Sequence, residues 1–249
     1  MLLVHGLLRE HDREVLDRLD TGPVHPRVVA RGALAAAVTE APDHALTADD
    51  AVAHLDLLVA LAADVPVLPL PLGTTAPDDD AVREEMLTPA ADALERQLAA
   101  VADLVEIRLD IAFDTDAVVA AGTRGDPEID RLAKRSRARG AGLSERMALG
   151  EAVAARVADV EASLVEEWTA ELTLLAERSV VLSTDEQVRR TAFCLRRDRL
   201  AEADAAVARL REAAAGRAVV EYVGPLPLYS FLDDLPRAPE PAPRSRWGW

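Results

Sequence analysis

The chain has 249 residues, half of them apolar, and a formal net charge of −16 at pH 7. That much apolar content supplies one large core or two small ones and argues against wholesale disorder. The charge would repel nucleic-acid phosphate over most of the surface. No apolar run approaches the ~20 residues needed to span a bilayer, and the opening MLLVHGLLREHDRE lacks the basic segment and cleavage site of a secretory signal. The single cysteine, Cys194, excludes an internal disulfide, fits a reducing cytoplasm and reads as a packed thiol in an apolar run.

In chain order, Leu2–Leu8 reads as a strand, followed by a short helix over Asp12–Leu19 and two strands, Val24–Ala30 and Leu34–Thr39, joined near Gly32. Thr47 is a candidate N-cap for a helix whose expected buried stripe is Val52, Leu55, Val59 and Ala62. Val65–Gly73 (VPVLPLPLG) carries three prolines and can only be extended, as an edge or irregular strand. Asp78, Asp79 and Asp80 suit the positive end of a further helix. Thr88-Pro89 restarts or kinks it, and Leu94, Leu98 and Val101 continue the stripe.

From Glu106 to Phe113 the sequence alternates, with Ile107, Leu109, Ile111 and Phe113 on one face of a strand. A Gly-, Arg- and Asp-rich loop is expected next, GTRGDPEIDRLAKRSRARGAG. Val157, Val160, Leu164, Trp168, Leu172 and Leu175 then form the stripe of a long helix, with Glu161 placed off it. Ser179–Ser183 and Val188–Arg196 read as strands around a turn at Thr184–Gln187. Asp198 can cap a helix that buries Ala203, Val207, Leu210 and Ala214 and stops at Gly216, and Ala218–Val223 is the last strand. The order β-α-β-β-α-β is the ferredoxin-like arrangement, an antiparallel four-stranded sheet with both helices on one face. The expected fold class is therefore α+β in two domains. An irregular N-terminal domain spans 1–103, a ferredoxin-like C-terminal domain 104–231, and a flexible Pro- and Arg-rich tail 232–249.

Residue patterns that carry chemistry are missing. His5, His11, His25, His44 and His54 have no metal-ligand spacing. There is no phosphate-cradling glycine loop, no GxSxG elbow, and no carboxylate pair in an apolar context. His54 and Asp56 lie two apart on a helix and do not face each other, so His54 is expected to be solvated or capping. The expectation is no catalytic, cofactor or metal residues. Arg124-Gly125-Asp126 reads as an accident of composition. The basic run Arg131–Arg139 (RLAKRSRAR) is either a mobile surface loop or a docking site for an acidic partner.

Several segments, in this order, resemble the gas vesicle protein F/L family. Leu3–Leu8 is similar to its opening V-x-G-I-V element, and Ala36–Glu40 to A-V-V-S-E. His54–Leu58 is similar to an H-x-x-L-L helix, Val67–Thr74 to V-L-P-L-R-F-G-T, and Ala192–Leu195 to A-F-L-V. The most specific run is Gly224–Phe231, GPLPLYSF, which resembles G-P-W-P-P-Y-S-F. Pro71 and Leu72 stand where the family pattern has Arg-Phe, and Leu226 and Leu228 where it has Trp and Pro, so a charge-based role for that arginine is lost here.

The resemblance implies a non-enzymatic accessory protein of gas vesicle formation, cytoplasmic or on the vesicle, without a cofactor. It also implies that the partners are the small apolar major shell protein and other accessory proteins. Leu68, Leu70, Leu72, Leu226, Leu228, Tyr229 and Phe231 are the candidate protein-binding residues, by strand pairing or insertion. Packing against the protein's own core would equally account for them. A ligand-binding regulator or cofactor-free enzyme on a ferredoxin-like domain is the competing class, which fold alone does not separate.

Overall fold

The computed structural model describes residues 1–19, 26–184 and 188–234. The first two residues of the expected strand Val24–Ala30, the turn residues 185–187 and the tail from 235 lie outside the described residues. The strands are β1 (Leu2–Arg9), β2 (Arg27–Arg31), β3 (Leu34–Glu40), β4 (Leu68–Pro69), β5 (Thr75–Ala76), β6 (Leu104–Phe113), β7 (Arg178–Thr184), β8 (Val188–Arg196) and β9 (Ala218–Leu226). The helices are α1 (Ala48–Asp64), α2 (Asp79–Ala81), α3 (Ala91–Ala100), α4 (Thr115–Thr123), α5 (Pro127–Ser136), α6 (Leu143–Leu175) and α7 (Leu200–Ala214). Short 3-10 helices cover Glu10–Arg18 and Tyr229–Asp234. Two compact units emerge, each discontinuous in sequence. One comprises Met1–Ile107, Cys194–Asp198 and the described residues from Gly224; the other comprises Arg108–Phe193 and Arg199–Val223.

In the first unit, β1 is the hub of an antiparallel sheet ordered β2-β3-β1-β4, with β5 also paired to β1. Its near-continuous apolar run is what a strand buried on both faces requires. Register with β3 shifts between Val4, opposite Val38, and Gly6, opposite Ala37, so His5 is the extra residue of a bulge. Gly6 has no room for a side chain. A Cβ there would lie 2.9 Å from Val67 Cγ2 and 3.0 Å from both Leu58 Cδ2 and the Leu68 carbonyl oxygen.

Helix α1 starts at a capping box: the Thr47 side chain accepts from the Asp50 N–H, and the Thr47 N–H donates to Asp50 Oδ2 at 2.8 Å. Its buried face is His54, Leu57, Leu58, Leu61 and Ala62, while Val52 and Leu55 are exposed. The expected stripe Val52–Leu55–Val59–Ala62 is thus rotated off the true one. AVAHLDLLVALAA is apolar on several faces, and the buried face is the one holding a histidine. Asp78 caps α2, as its position suggests, accepting from the Ala81 N–H at 2.9 Å. Before Pro89 the helix widens into a π turn, where the Thr88 N–H and hydroxyl both donate to the Arg83 carbonyl (3.0 and 2.7 Å); α3 then restarts the helix.

Strands β6–β9 form the second sheet, antiparallel and ordered β7-β8-β6-β9, the ferredoxin-like order. In the second unit, α6 and α7 meet its strands through Phe113 stacked on Trp168 (5.8 Å), Arg189 paired to Glu161 (2.9 Å), and Tyr222 donating to Asp204 (2.7 Å). Glu161, expected off the buried stripe, is therefore itself buried. The loop expected over residues 122–142 holds the last residues of α4 and all of α5. Asp114 caps α4, and Asp126 followed by Pro127 caps α5, so the RGD tripeptide is a helix start with Gly125 at φ +76°. Asp198 does not cap α7; Arg199 holds that position without a side-chain bond, and Asp198 lies 3.4 Å from Arg196.

Gly6→Val forces a branched side chain into the contact of β1 with Leu58 and Val67. Urea unfolding should show a loss of about 1–3 kcal/mol, and an unchanged midpoint would mean the contact is not close-packed.

Candidate functional site

The residues with the most constrained chemistry gather where the chain's last described segment joins the first unit. Strand β9 runs past Val223, where the sequence suggested it ends, through Gly224 and Pro225 to Leu226. The Gly224–Pro225 peptide is cis. Proline is tolerated because β9 is an edge strand. Gly224 is needed for close approach: a Cβ there would come within 2.9 Å of Ile107 Cγ2 and 3.3 Å of the Glu106 carbonyl oxygen. Beyond Pro227 the chain turns, with the Tyr229 N–H donating to the Pro227 carbonyl (2.7 Å) and the Phe231 N–H to that of Leu228 (3.2 Å).

Two polar clamps hold this turn. Glu106, with 0% of its surface exposed, takes the Ser230 N–H on Oε2 and the Ser230 hydroxyl on Oε1, both at 2.7 Å. Tyr229 packs its ring on the apolar core of α1 and β1, and its hydroxyl lies 3.3 Å from His54 Nε2. From there a buried chain runs inward: His54 Nδ1 to His5 Nδ1 at 2.9 Å, then His5 Nε2 to Thr39 Oγ1 at 2.9 Å. The bulge in β1 is what places His5 here. Arg197 closes the far end of α1, donating to the carbonyls of Ala62 (2.7 Å) and Ala63 (2.6 Å).

An Nδ1–Nδ1 hydrogen bond needs one donor and one acceptor, so the two rings cannot both be imidazolium while it stands. Burial, reinforced by the neighbouring His54, pushes His5 down to about 4, and burial also lowers His54. Along this hydrogen-bonded path the titratable groups among the described residues are the two imidazoles and the Tyr229 phenol; β3 adds the Thr39 hydroxyl, and Leu70 hydrogen-bonds through its backbone to His5 and His54. His54 is a buried, bonded core histidine, not the solvated or capping residue expected.

Of the sequence-derived candidates, Leu68, Leu226, Leu228 and Phe231 are buried, and Leu70, Leu72 and Tyr229 are half-buried. Leu228 seats beside Ala62, Val65, Val67 and Leu104, leaving a cavity of only about 10 Å³. A larger surface depression of about 270 Å³ is lined by Thr88–Ala93 and Arg96. Among the described residues no group of three or more His, Cys, Asp or Glu side chains could hold a metal ion, and no helix is long and apolar enough to cross a membrane. Glu106, His5 and Thr39 were missed. A carboxylate on the polar phase of an alternating strand reads as solvent-facing, and the Ser230 that satisfies it lies 124 positions away.

The family model of the gas vesicle synthesis protein GvpL/GvpF matches residues 2–233, and the chain belongs to that family. Gas vesicle protein F from Streptomyces sp. (strain CB03234) is 34% identical over 241 residues, which cover 92% of this chain and 98% of the relative. Two solved structures share the fold at 16% identity and 92% coverage of this chain. They are gas vesicle protein GvpF from Anabaena sp. PCC7120 (TM-score 0.75, 97% of that chain) and from Microcystis aeruginosa (TM-score 0.71, 98% of that chain).

Two tests follow from the clamps. Glu106→Ala leaves the Ser230 donors unpaired and should cost about 1–3 kcal/mol, with Glu106→Gln recovering part of it; equal stability of all three proteins would show that the clamp contributes nothing. The second concerns acid. Because the folded His5 pKa lies below the ordinary 6.5, its stabilising contribution is complete above that value and is lost as pH falls toward 4. Between pH 7 and 5 the wild type should lose about 2 kcal/mol, whereas a His5→Asn, His54→Asn double variant, less stable at pH 7, should show a nearly flat profile. A double variant with the wild-type slope would place the acid sensitivity elsewhere.

Proposed function

We propose that this chain is a non-enzymatic assembly factor of gas vesicles that holds the apolar shell subunit soluble before it is built into the wall. The observation that carries the reading is membership of the gas vesicle synthesis family along residues 2–233. Physical chemistry supplies the reason such a factor is needed. A subunit whose face will line a gas space presents a large apolar patch beforehand and would aggregate. A carrier at −16 stays dispersed while covering it.

For the contact we propose the half-buried Leu70, Leu72 and Tyr229, with Leu68, Leu226, Leu228 and Phe231 as the packed support beneath them. Support for this comes from geometry within the first unit. The Leu70 N–H bonds to the His5 carbonyl at 2.9 Å, and Tyr229 is tied to His54, so both candidates sit on fixed backbone. Rigid presentation lowers the ordering cost of binding. Other accessory proteins of the same assembly are proposed as further partners, and the cytoplasm and growing vesicle as the place of action.

Co-expression with a small apolar shell protein from a gas vesicle gene cluster tests the reading. The shell protein should move into the soluble fraction and co-purify with this chain. Leu70→Asp with Leu72→Asp should abolish co-purification while the melting temperature stays within a few degrees. Shell protein that stays insoluble with the wild type would refute the carrier role, and undiminished capture by the double variant would move the contact elsewhere.

A further inference from the structure

The described cations of this acidic chain mostly have partners. Arg27 is paired with Asp79, Arg190 with Asp110, Arg189 with Glu161 and Arg209 with Glu171, while Arg197 and Arg217 donate to backbone carbonyls. The stretch around α5 is different. Across 131–139 there are five cations and no acid. Among the described residues, the side chains of Lys134, Arg135, Arg137 and Arg139 make no hydrogen bond or ion pair within the ion-pair distance, and all four are exposed. Arg124 and Arg146, on either side, are exposed and unpaired in the same sense. The acids nearby are mostly committed to local structure: Asp126 caps α5, Glu128 pairs with Arg131, and Glu145 accepts from the Gly142 N–H, with Arg135 close enough to add a weaker attraction.

Helix α5 buries Ile129 and Leu132 and turns its basic face outward. A favourable interaction with the C-terminal end of the helix dipole accounts for Lys134 and Arg135. It does not account for Arg137 and Arg139, beyond the helix, or for Arg146, in the first turns of α6, where a cation opposes the dipole. Arg137, Arg139 and Arg146, which local structure does not require, lie beside the exposed Lys134 and Arg135 on a chain of net −16 and point to a partner that supplies the missing anions.

We infer that the outer face of α5 and the turn leading to α6 is a docking surface for an acidic protein segment. Its size favours such a partner. The ten residues of α5 extend ~15 Å, a span that an acidic stretch of two or three helical turns matches. A nucleic-acid duplex would run past the patch onto surface whose summed charge is negative, within a Debye length of ~8 Å at physiological salt. Exposed arginines also pair planar carboxylates bidentately. This surface shares no residue with the proposed shell-protein contact, so either can fail without the other.

The test uses the full chain and fluorescence anisotropy with a labelled Glu-rich peptide of about 12 residues, its Gln counterpart, and a duplex DNA of about 24 base pairs. The variant is Lys134→Gln, Arg135→Gln, Arg137→Gln, Arg139→Gln, with Arg96→Gln as a control outside the patch and circular dichroism as the check on folding. The wild type and the control should bind the Glu peptide, not the Gln peptide, with at least about tenfold weaker binding when salt rises from about 50 to 300 mM. The fourfold variant should lose about tenfold or more in affinity. No binding of the Glu peptide, equal binding by the variant, or tighter binding of DNA than peptide each overturns the inference. So does self-association of the wild type that the four substitutions abolish, which would make a second copy the occupant.

Discussion

A carboxylate with no exposed surface has to be met by donors, because leaving it uncompensated in the interior costs several kcal/mol. Glu106 is in that position, and Ser230 meets it with both its N–H and its hydroxyl. Much of the first unit follows from this pairing. With Ser230 fixed, the preceding residue can only present its ring to the core of α1 and β1, which brings the Tyr229 hydroxyl to His54. Leu228 and Phe231, which flank the pair in sequence, are buried. Gly224 is small because the approach to Ile107 leaves no space for a Cβ. The run that resembles the family motif most closely is thus first a fastening of residues 224–231 to β6 and α1.

The histidine pair depends on the same fastening. His5 is turned toward α1 by the bulge in β1, His54 comes from a helix face rotated off the expected stripe, and Tyr229 caps the outer nitrogen. Each polar atom along this path has a neighbour that can donate or accept, which is the condition for keeping imidazoles in a core. The arrangement specifies one packing of α1 on the sheet more sharply than leucines alone would.

The strands of the second sheet and the helices α6 and α7 were legible because period-2 and period-3.6 patterns were clean there: Ile107, Leu109 and Ile111 on β6, and Trp168 and Leu172 on α6. Helices α4 and α5 were not. The composition of the α5 stretch suggests a loop and the pattern assigns no element to most of α4, although Asp114 and the Asp126-Pro127 pair are ordinary helix-start signals and were available in the sequence. The α1 stripe was misplaced because too many of its faces are apolar for periodicity to choose among them. The clamps were invisible for a different reason: Glu106 with Ser230 and His5 with His54 join residues far apart in the chain, and one sequence carries no signal of such pairings. Family membership was legible from GPLPLYSF, whereas the job those residues do in the fold was not.

Functionally, the chain combines a strongly acidic exterior, two α+β units and a fastened C-terminal segment in a family named for gas vesicle synthesis. The fastened segment is ordered by bonds within the first unit itself, which is what the proposed assembly role would need of a contact surface.

Hydrogen exchange measured by mass spectrometry on the wild-type protein tests the fastening directly, because amide protection reports local opening free energies. The account predicts that peptides covering residues 224–231 exchange as slowly as those of β1 and α1 and lose protection with them in a single step as denaturant is added. Exchange of that segment at the rate of an unstructured terminus, while β1 and α1 stay protected, would contradict it.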